Sequence, residues 1–270
     1  MYKDELGTRM KTFYEAIPQT KLMRKVPVAI RIDGKAFHTF TRGFKKPFDE
    51  VLGRTMRETM KYLCENIQGC ALGYTQSDEI TLILVDYKKL NSEAWFDYEV
   101  QKMCSIAAST ATMAFNKYFI EEVKKFIASK NPISISDEEI NLVDTYRRAC
   151  EKGAMFDARC FNIPKEETSN LIYWRQWDAI RNSIQMLGQA NFSHKELQNK
   201  SCNEIKQMLQ EQKNINWDEL PTHLKQGSCC IKSIDPEKGN DHLSWKIDLN
   251  IPLFITKDRN YINERIWYEE

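Results

Sequence analysis

Cys70-Ala71-Leu72-Gly73-Tyr74-Thr75-Gln76-Ser77-Asp78-Glu79-Ile80-Thr81-Leu82-Ile83-Leu84-Val85 is the stretch that decides the fold. Two apolar runs, Cys70 to Thr75 and Ile80 to Val85, flank four polar residues, which predicts a β-hairpin turning at Gln76 to Glu79. Upstream, Val51, Leu52, Met56, Met60, Leu63, Cys64 and Ile67 recur at helical spacing, and Gly69 closes that helix. Before it, Val26 to Ile32 (V-P-V-A-I-R-I) reads as a strand ending at Asp33-Gly34. Leu6, Met10, Phe13, Tyr14 and Ile17 predict a first helix, stopped by Pro18. Downstream, Phe96 to Lys130 favours a long helix.

Asn131 to Glu139 is a polar break, and it divides the expected organisation into residues 1–130 and 131–270. Past it come a strand from Met155 to Ile163 and a helix from about Ser169 to Leu187. Two S-x-x-E capping boxes at Ser193 and Ser201 predict two short helices, and Leu243 to Ile255 a final strand-like stretch. The order matches a split βαβ, ferredoxin-like layout: an α+β fold with an antiparallel sheet and a helical C-terminal extension. That layout hosts many functions, so chemistry has to be read from its residues.

Composition narrows the field. The chain has 270 residues, 42% of them hydrophobic, with 39 Lys plus Arg against 38 Asp plus Glu. Such balance excludes holding nucleic acid by bulk charge but leaves room for a local basic face. No apolar run approaches a membrane span, and acids at Asp4 and Glu5 stand where a secretory leader would be apolar, so a soluble, cytoplasmic protein is expected. Eight scattered cysteines form no C-x-x-C pair, and the four histidines form no H-E-x-x-H pattern, so a metal here would need carboxylates.

Two acidic turns carry the most chemistry. Asp33 ends the first strand, Asp78 lies in the hairpin, and a split βαβ sheet sets that strand beside that hairpin. Converging carboxylates, with waters and phosphates completing the shell, are how proteins hold Mg²⁺, and two such ions serve phosphoryl or nucleotidyl transfer. Gly34 lets the backbone approach, so its carbonyl is a further candidate ligand. Taken singly, Asp-Gly and Ser-Asp-Glu are ordinary turn residues. Adjacent strand residues face opposite ways, so Glu79 need not share a site with Asp78.

Between Lys21 and Lys61, eleven Lys or Arg stand against four acids. Lys35 and Lys46 suit triphosphate oxygens or an RNA backbone, whereas Arg54, Arg57 and Lys61 read as a solvated helix face. Phe37 and His38 lie where a base or sugar could rest, although an aromatic there is more often core. Arg175, Asp178 and Asn182 fall on one helical face, of a kind more often solvated or paired within the chain.

Arg31-Ile32-Asp33-Gly34-Lys35-Ala36-Phe37-His38-Thr39-Phe40, Lys46-Pro47, Tyr74-Thr75-Gln76-Ser77-Asp78-Glu79, Phe156-Asp157-Ala158-Arg159 and Trp174-Arg175-Gln176 with Asp178 together resemble tRNA-histidine guanylyltransferases, from about Leu6 to Gly227. The resemblance implies a polymerase palm that activates an RNA 5′-phosphate with ATP or GTP and lets the 3′-hydroxyl of an incoming nucleotide attack it. It implies Asp33, Asp78 and Glu79 as catalytic carboxylates, and Asp33, the Gly34 carbonyl and Asp78 as Mg²⁺ ligands. Arg31, Gly34, Lys35, Ala36, Phe37, His38, Lys46 and Ser77 would hold nucleotide, while Arg175, Asp178, Arg181, Asn182 and Lys195 would contact tRNA or nucleotide. A homotetramer acting on tRNA is implied as well.

Eukaryotic members carry a His two residues after the Asp of the Arg-Gln-x-Asp helix; Ile180 stands there in this chain. Arg181-Asn182-Ser183, with Phe192 to Leu197 after it, looks like the bacterial and archaeal guanylyltransferase-like branch, whose members rebuild truncated tRNA 5′ ends by templated addition. Addition of a single guanosine to tRNA-histidine and palm-type nucleotide cyclisation are the alternatives. A non-catalytic RNA-binding module ranks last.

Overall fold

The computed structural model describes residues 4–130, 136–234 and 243–267. Its centre is one six-stranded sheet in the order β4-β1-β3-β2-β5-β6, with every neighbouring pair antiparallel. The strands are β1 (Val28–Gly34), β2 (Cys70–Gln76), β3 (Glu79–Leu84), β4 (Phe156–Asn162), β5 (Ser228–Ile234) and β6 (Leu243–Asp248). The first four reproduce the ferredoxin-like 4-1-3-2 arrangement, and strands from both sides of residue 131 share the sheet. The hairpin forms as expected, with Gln76 opposite Glu79 and only Ser77-Asp78 between them.

The helices are α1 (Glu5–Met10), α2 (Phe37–Phe40), α3 (Glu50–Asn66), α4 (Val100–Ala128), α5 (Asp137–Lys152), α6 (Lys165–Asn191), α7 (His194–Leu197), α8 (Cys202–Lys213), α9 (Thr222–Gln226) and α10 (Asn260–Ile266). Helices α3 and α4 cover the sheet face that presents Ile30, Ile32, Leu82 and Leu84. Phe37, Phe40, Phe44, Phe115, Phe119 and Tyr146 interlock there with ring centroids 5.1–6.1 Å apart. Helices α6 and α10 cover the opposite face, where Ile172, Ile262 and Ile266 meet Ala29, Ile83 and Tyr74. Ile184 and Leu187 of α6 pack with Ile205 and Leu209 of α8 in a smaller cluster.

Several elements depart from the sequence expectation. The first helix is α-helical only to Met10 and continues as a π-turn over Lys11–Glu15. Its apolar stripe meets no core: Leu6, Phe13, Tyr14 and Ile17 are all exposed. Helix α4 starts at Val100, because Phe96 and Asp97 take left-handed backbone angles. The polar break is partly helix: residues 131–135 lie outside the described residues, but Ser136 and Glu139 form a capping box that opens α5. Strand β5 was not expected, and regular structure continues beyond Ile255 into α10. Leu243 to Ile255 is a strand only as far as Asp248. All eight cysteines are free thiols, and among the described residues no helix is long and apolar enough to cross a membrane.

Candidate active site at the hairpin edge

β1 runs out beside the hairpin turn, and the Gly34 N–H donates to the Asp78 carbonyl at 3.1 Å. Asp33 is the register partner of both Glu79 on β3 and Asp157 on β4, so three carboxylate residues cross the sheet in one row. Asp78 sits in the turn itself, where Ser77 adopts φ +49° and donates its hydroxyl to Asp78 Oδ1 at 3.0 Å. Burial foremost pushes the Asp78 carboxyl above its ordinary value; the Ser77 hydrogen bond opposes that rise and the nearby negative Asp33 adds to it. A cation between them would relieve that repulsion. Among the described residues no group of three or more His, Cys, Asp or Glu forms a ready cage; the expected donors at this edge would be two carboxylates and a carbonyl. That set suits a hard cation bringing water or phosphate oxygens of its own.

A cavity of about 480 Å³ opens on this edge. Gly34, Ala36, Phe37, His38, Lys46, Ser77 and Asp78 all line it, which gathers six of the eight residues expected to hold nucleotide together with Asp78; Arg31, Asp33, Lys35 and Glu79 do not line it. The backbone explains the gathering. Ala36 takes a left-handed conformation (φ +52°), which turns the chain out of β1 and directly into α2. Gly34 is required by close approach, since a Cβ there would lie 2.2 Å from the Phe37 ring. Phe37 itself is core, packed between Phe40, Phe115 and Phe156. His38 meets the Thr39 hydroxyl at 3.0 Å, and the Lys35 N–H donates to the Met155 carbonyl at 2.8 Å, tying the turn to β4. Asp49 fixes the loop that carries Lys46: it accepts from the Lys45 and Leu52 N–H groups and from the Tyr146 hydroxyl at 2.7 Å.

Glu79 is placed differently. It is buried, and its Oε1 accepts from Arg175 Nε at 2.7 Å, with Arg31 Nε 3.9 Å from the other oxygen. Arg175 also donates to Asp178 at 3.0 Å, and Asp178 holds Arg181 and, at 3.4 Å, Asn182. Burial opposes the charge on Arg175, but Glu79 and then Asp178 outweigh it, and the guanidinium stays charged. The polar face of α6 is therefore an ion network anchoring that helix to the hairpin. Asn182 reaches a second, smaller cavity of about 140 Å³ that shares Ser77, Asp49 and Leu52 with the first. Arg181 lines a cleft elsewhere, and Lys195 is exposed on α7, lining neither cavity of the hairpin edge.

Sequence reasoning missed three neighbours of the site. Met186 of α6 lines both cavities, and His223 of α9 lines the smaller one. Arg57 has a side chain only 11% exposed, lines the smaller cavity and is no solvated residue, whereas Arg54 and Lys61 do pair along the surface of α3. Nothing in the order of residues places Met186 or His223 beside Ser77. For Arg57 the signal was available, because it lies one helical turn from buried Met60.

Comparison with known proteins agrees with this geometry. The family model described as tRNAHis guanylyltransferase matches residues 7–164. A bacterial tRNA(His) guanylyltransferase (Thg1)-like protein solved in complex with ATP superposes with a TM-score of 0.80 at 38% identity, over 97% of this chain and 100% of that one. The tRNA(His) guanylyltransferase of Saccharomyces cerevisiae is 26% identical over 74% of this chain and 80% of its own length. An uncharacterised protein of Acanthamoeba polyphaga mimivirus is 30% identical over 86% of this chain and 78% of its own. With sheet order, carboxylate edge and family match in agreement, the chain belongs to the tRNA(His) guanylyltransferase family and is a nucleotidyltransferase.

Proposed function

We propose that the protein is a template-dependent 3′–5′ nucleotidyltransferase that repairs 5′-truncated tRNA. The observation that carries this reading is the cavity in which Lys46, His38, Ser77 and Asp78 surround the turn after Asp33-Gly34. Asp33, the Gly34 carbonyl and Asp78 hold Mg²⁺, which supplies charge neutralisation at the reacting phosphates. Lys46 and Lys35 offer charge-assisted hydrogen bonds to triphosphate oxygens, and Ser77 orients Asp78. Glu79 acts as a positioning residue, fixing the turn through Arg175.

The reaction has two transfers. An oxygen of the RNA 5′-phosphate attacks the α-phosphorus of ATP or GTP, forming a 5′–5′ pyrophosphate link and releasing pyrophosphate. The 3′-hydroxyl of the incoming nucleotide then attacks the activated 5′-phosphorus, loses its proton and expels the nucleoside monophosphate. Repair is favoured over single-guanosine addition by Ile180 and by the likeness to the bacterial guanylyltransferase-like protein, for which complexes with ATP and with GTP are known. The exposed stripe Leu6, Phe13, Tyr14 and Ile17 supports self-association, in keeping with a homotetramer acting on tRNA.

The test supplies a 5′-monophosphorylated tRNA lacking its first nucleotide, with Mg²⁺, ATP and all four nucleotides. Template-matched extension that halts at the full acceptor stem is expected. One guanosine added to intact tRNA-histidine, with no repair, would instead assign the chain to the guanylyltransferase proper.

A further inference from the structure

A cavity larger than the carboxylate pocket lies away from it. A cleft of about 680 Å³ lies between α6, α8 and the segment leading into α9. Three tryptophans, Trp174, Trp177 and Trp217, line it together with Arg181, Lys206 and Lys225. Trp174 and Trp177 are 53% and 55% exposed, although they stand one turn apart and flank the buried Arg175 and Gln176. Both are held in place rather than loose. Arg175 lies 4.5 Å from the Trp174 ring centroid, and Tyr173 stacks on Trp177 at 6.2 Å. Trp217 forms the opposing wall: its Nε1–H donates to Ser183 at 3.1 Å, and Lys206 and Lys225 lie 4.5 and 5.3 Å from its ring. Asp218 fixes both lysines, through its carboxylate to Lys206 at 2.8 Å and its carbonyl to Lys225 at 2.6 Å.

We infer that this cleft is a binding site for unpaired nucleotides of an RNA strand, whose bases stack on Trp174 and Trp177 while phosphates meet Arg181, Lys206 and Lys225. Ordered aromatic rings half open to solvent beside several fixed cations are the elements of single-strand recognition, because every base offers a π-face and every nucleotide a phosphate. A free triphosphate fits less well, since the three cations are spread along the cleft and its one lining carboxylate, Asp178, is already engaged by Arg175 and Arg181. A second copy of the chain would have to desolvate the cationic rim. Through Arg175 the cleft is joined to Glu79 and so to the turn bearing Asp78, which suits a site that holds the unpaired end of the same RNA whose 5′ end reacts. The choice of RNA rests on the proposed function; the stacking site does not.

The test is fluorescence anisotropy of a fluorescein-labelled pentacytidylate titrated with the full chain, without Mg²⁺. Saturable binding is expected, weakened about tenfold or more in Trp174→Ala/Trp177→Ala and less in Trp177→Phe. Lys206→Ala/Lys225→Ala should lower the slope of log affinity against log salt by about 0.7 per lost phosphate contact. ATP binding, followed by equilibrium dialysis, should be unchanged in all of these variants, which also shows that they fold. Unchanged pentacytidylate affinity in the double tryptophan variant overturns the inference, as does displacement of the probe by saturating ATP. Loss of self-association in that variant with no probe binding by the native chain would assign the cleft to a subunit contact and overturn it too. Tryptophan-dependent binding by a protein inactive on truncated tRNA would keep the cleft and remove the repair reading.

Discussion

The two faces of the sheet are built differently. Under α3 and α4 the contacts are almost wholly apolar, with Phe115 and Phe119 fully buried and stacked between neighbouring rings. Under α6 the apolar cluster gives way, towards the hairpin edge, to Arg31, Glu79, Arg175 and Asp178. Ring packing is tolerant of solvent conditions and sets where the strands lie. The ionic half depends on each partner being present, because a buried charge left alone is costly. Both faces thus carry an apolar core, and the α6 face adds the ion pairs that fix the orientation of the hairpin edge.

That contrast can be broken at several points. The largest effect is expected in activity: Asp33→Ala and Asp78→Ala should each lower 5′-end extension by about a thousandfold, the scale of several kcal/mol of lost charge stabilisation. Melting curves should show both variants folded. On the apolar face, Phe119→Ala should cost about 3–5 kcal/mol in urea denaturation. On the ionic face, Arg175→Met should cost about 3 kcal/mol by stranding Glu79, and adding Glu79→Gln should recover part of it. An additive loss in that double variant would remove the ion pair from the account.

Asp78→Asn sharpens the comparison by changing sign. It should stabilise the nucleotide-free protein by about 1 kcal/mol while abolishing extension, since burial and Asp33 already disfavour the carboxylate. The smallest effect concerns His223, whose proton affinity is lowered by burial first and by Arg57 second. The unfolded chain then binds the proton more readily, so this contribution is complete above about pH 6.5 and is lost as pH falls below it. His223→Gln should flatten that step in a pH series of melting temperatures.

The hairpin, β1, α3 and β4 were legible because period and turn chemistry agree along those stretches, and the Asp33–Asp78 convergence followed from their order. Helix α5 was equally legible and was missed. Ser136 and Glu139 form the same capping box that located α7 and α8, but the polar run before them reads as a boundary. Strand β5 is a different matter. Ser228-Cys229-Cys230-Ile231-Lys232-Ser233-Ile234 has no clear alternation, and its strand character comes from pairing with Gly73 to Thr75 on one side and with β6 on the other. The partner of Glu79 was likewise out of reach, since Arg175 meets it only after α6 is laid over the sheet.

The register that sets Val28 opposite Asn162 also imposes an order on synthesis. A nascent chain can close β1 on β3 early, but the far side of β1 stays bare until β4 has left the ribosome. For that interval Val28 to Ile32 offers an apolar, unpaired strand edge, the kind that recruits other chains. Messages truncated before Phe156 should therefore yield insoluble product rather than a smaller enzyme, and the last strand to reach β1 both frames the acidic edge and seals it against aggregation.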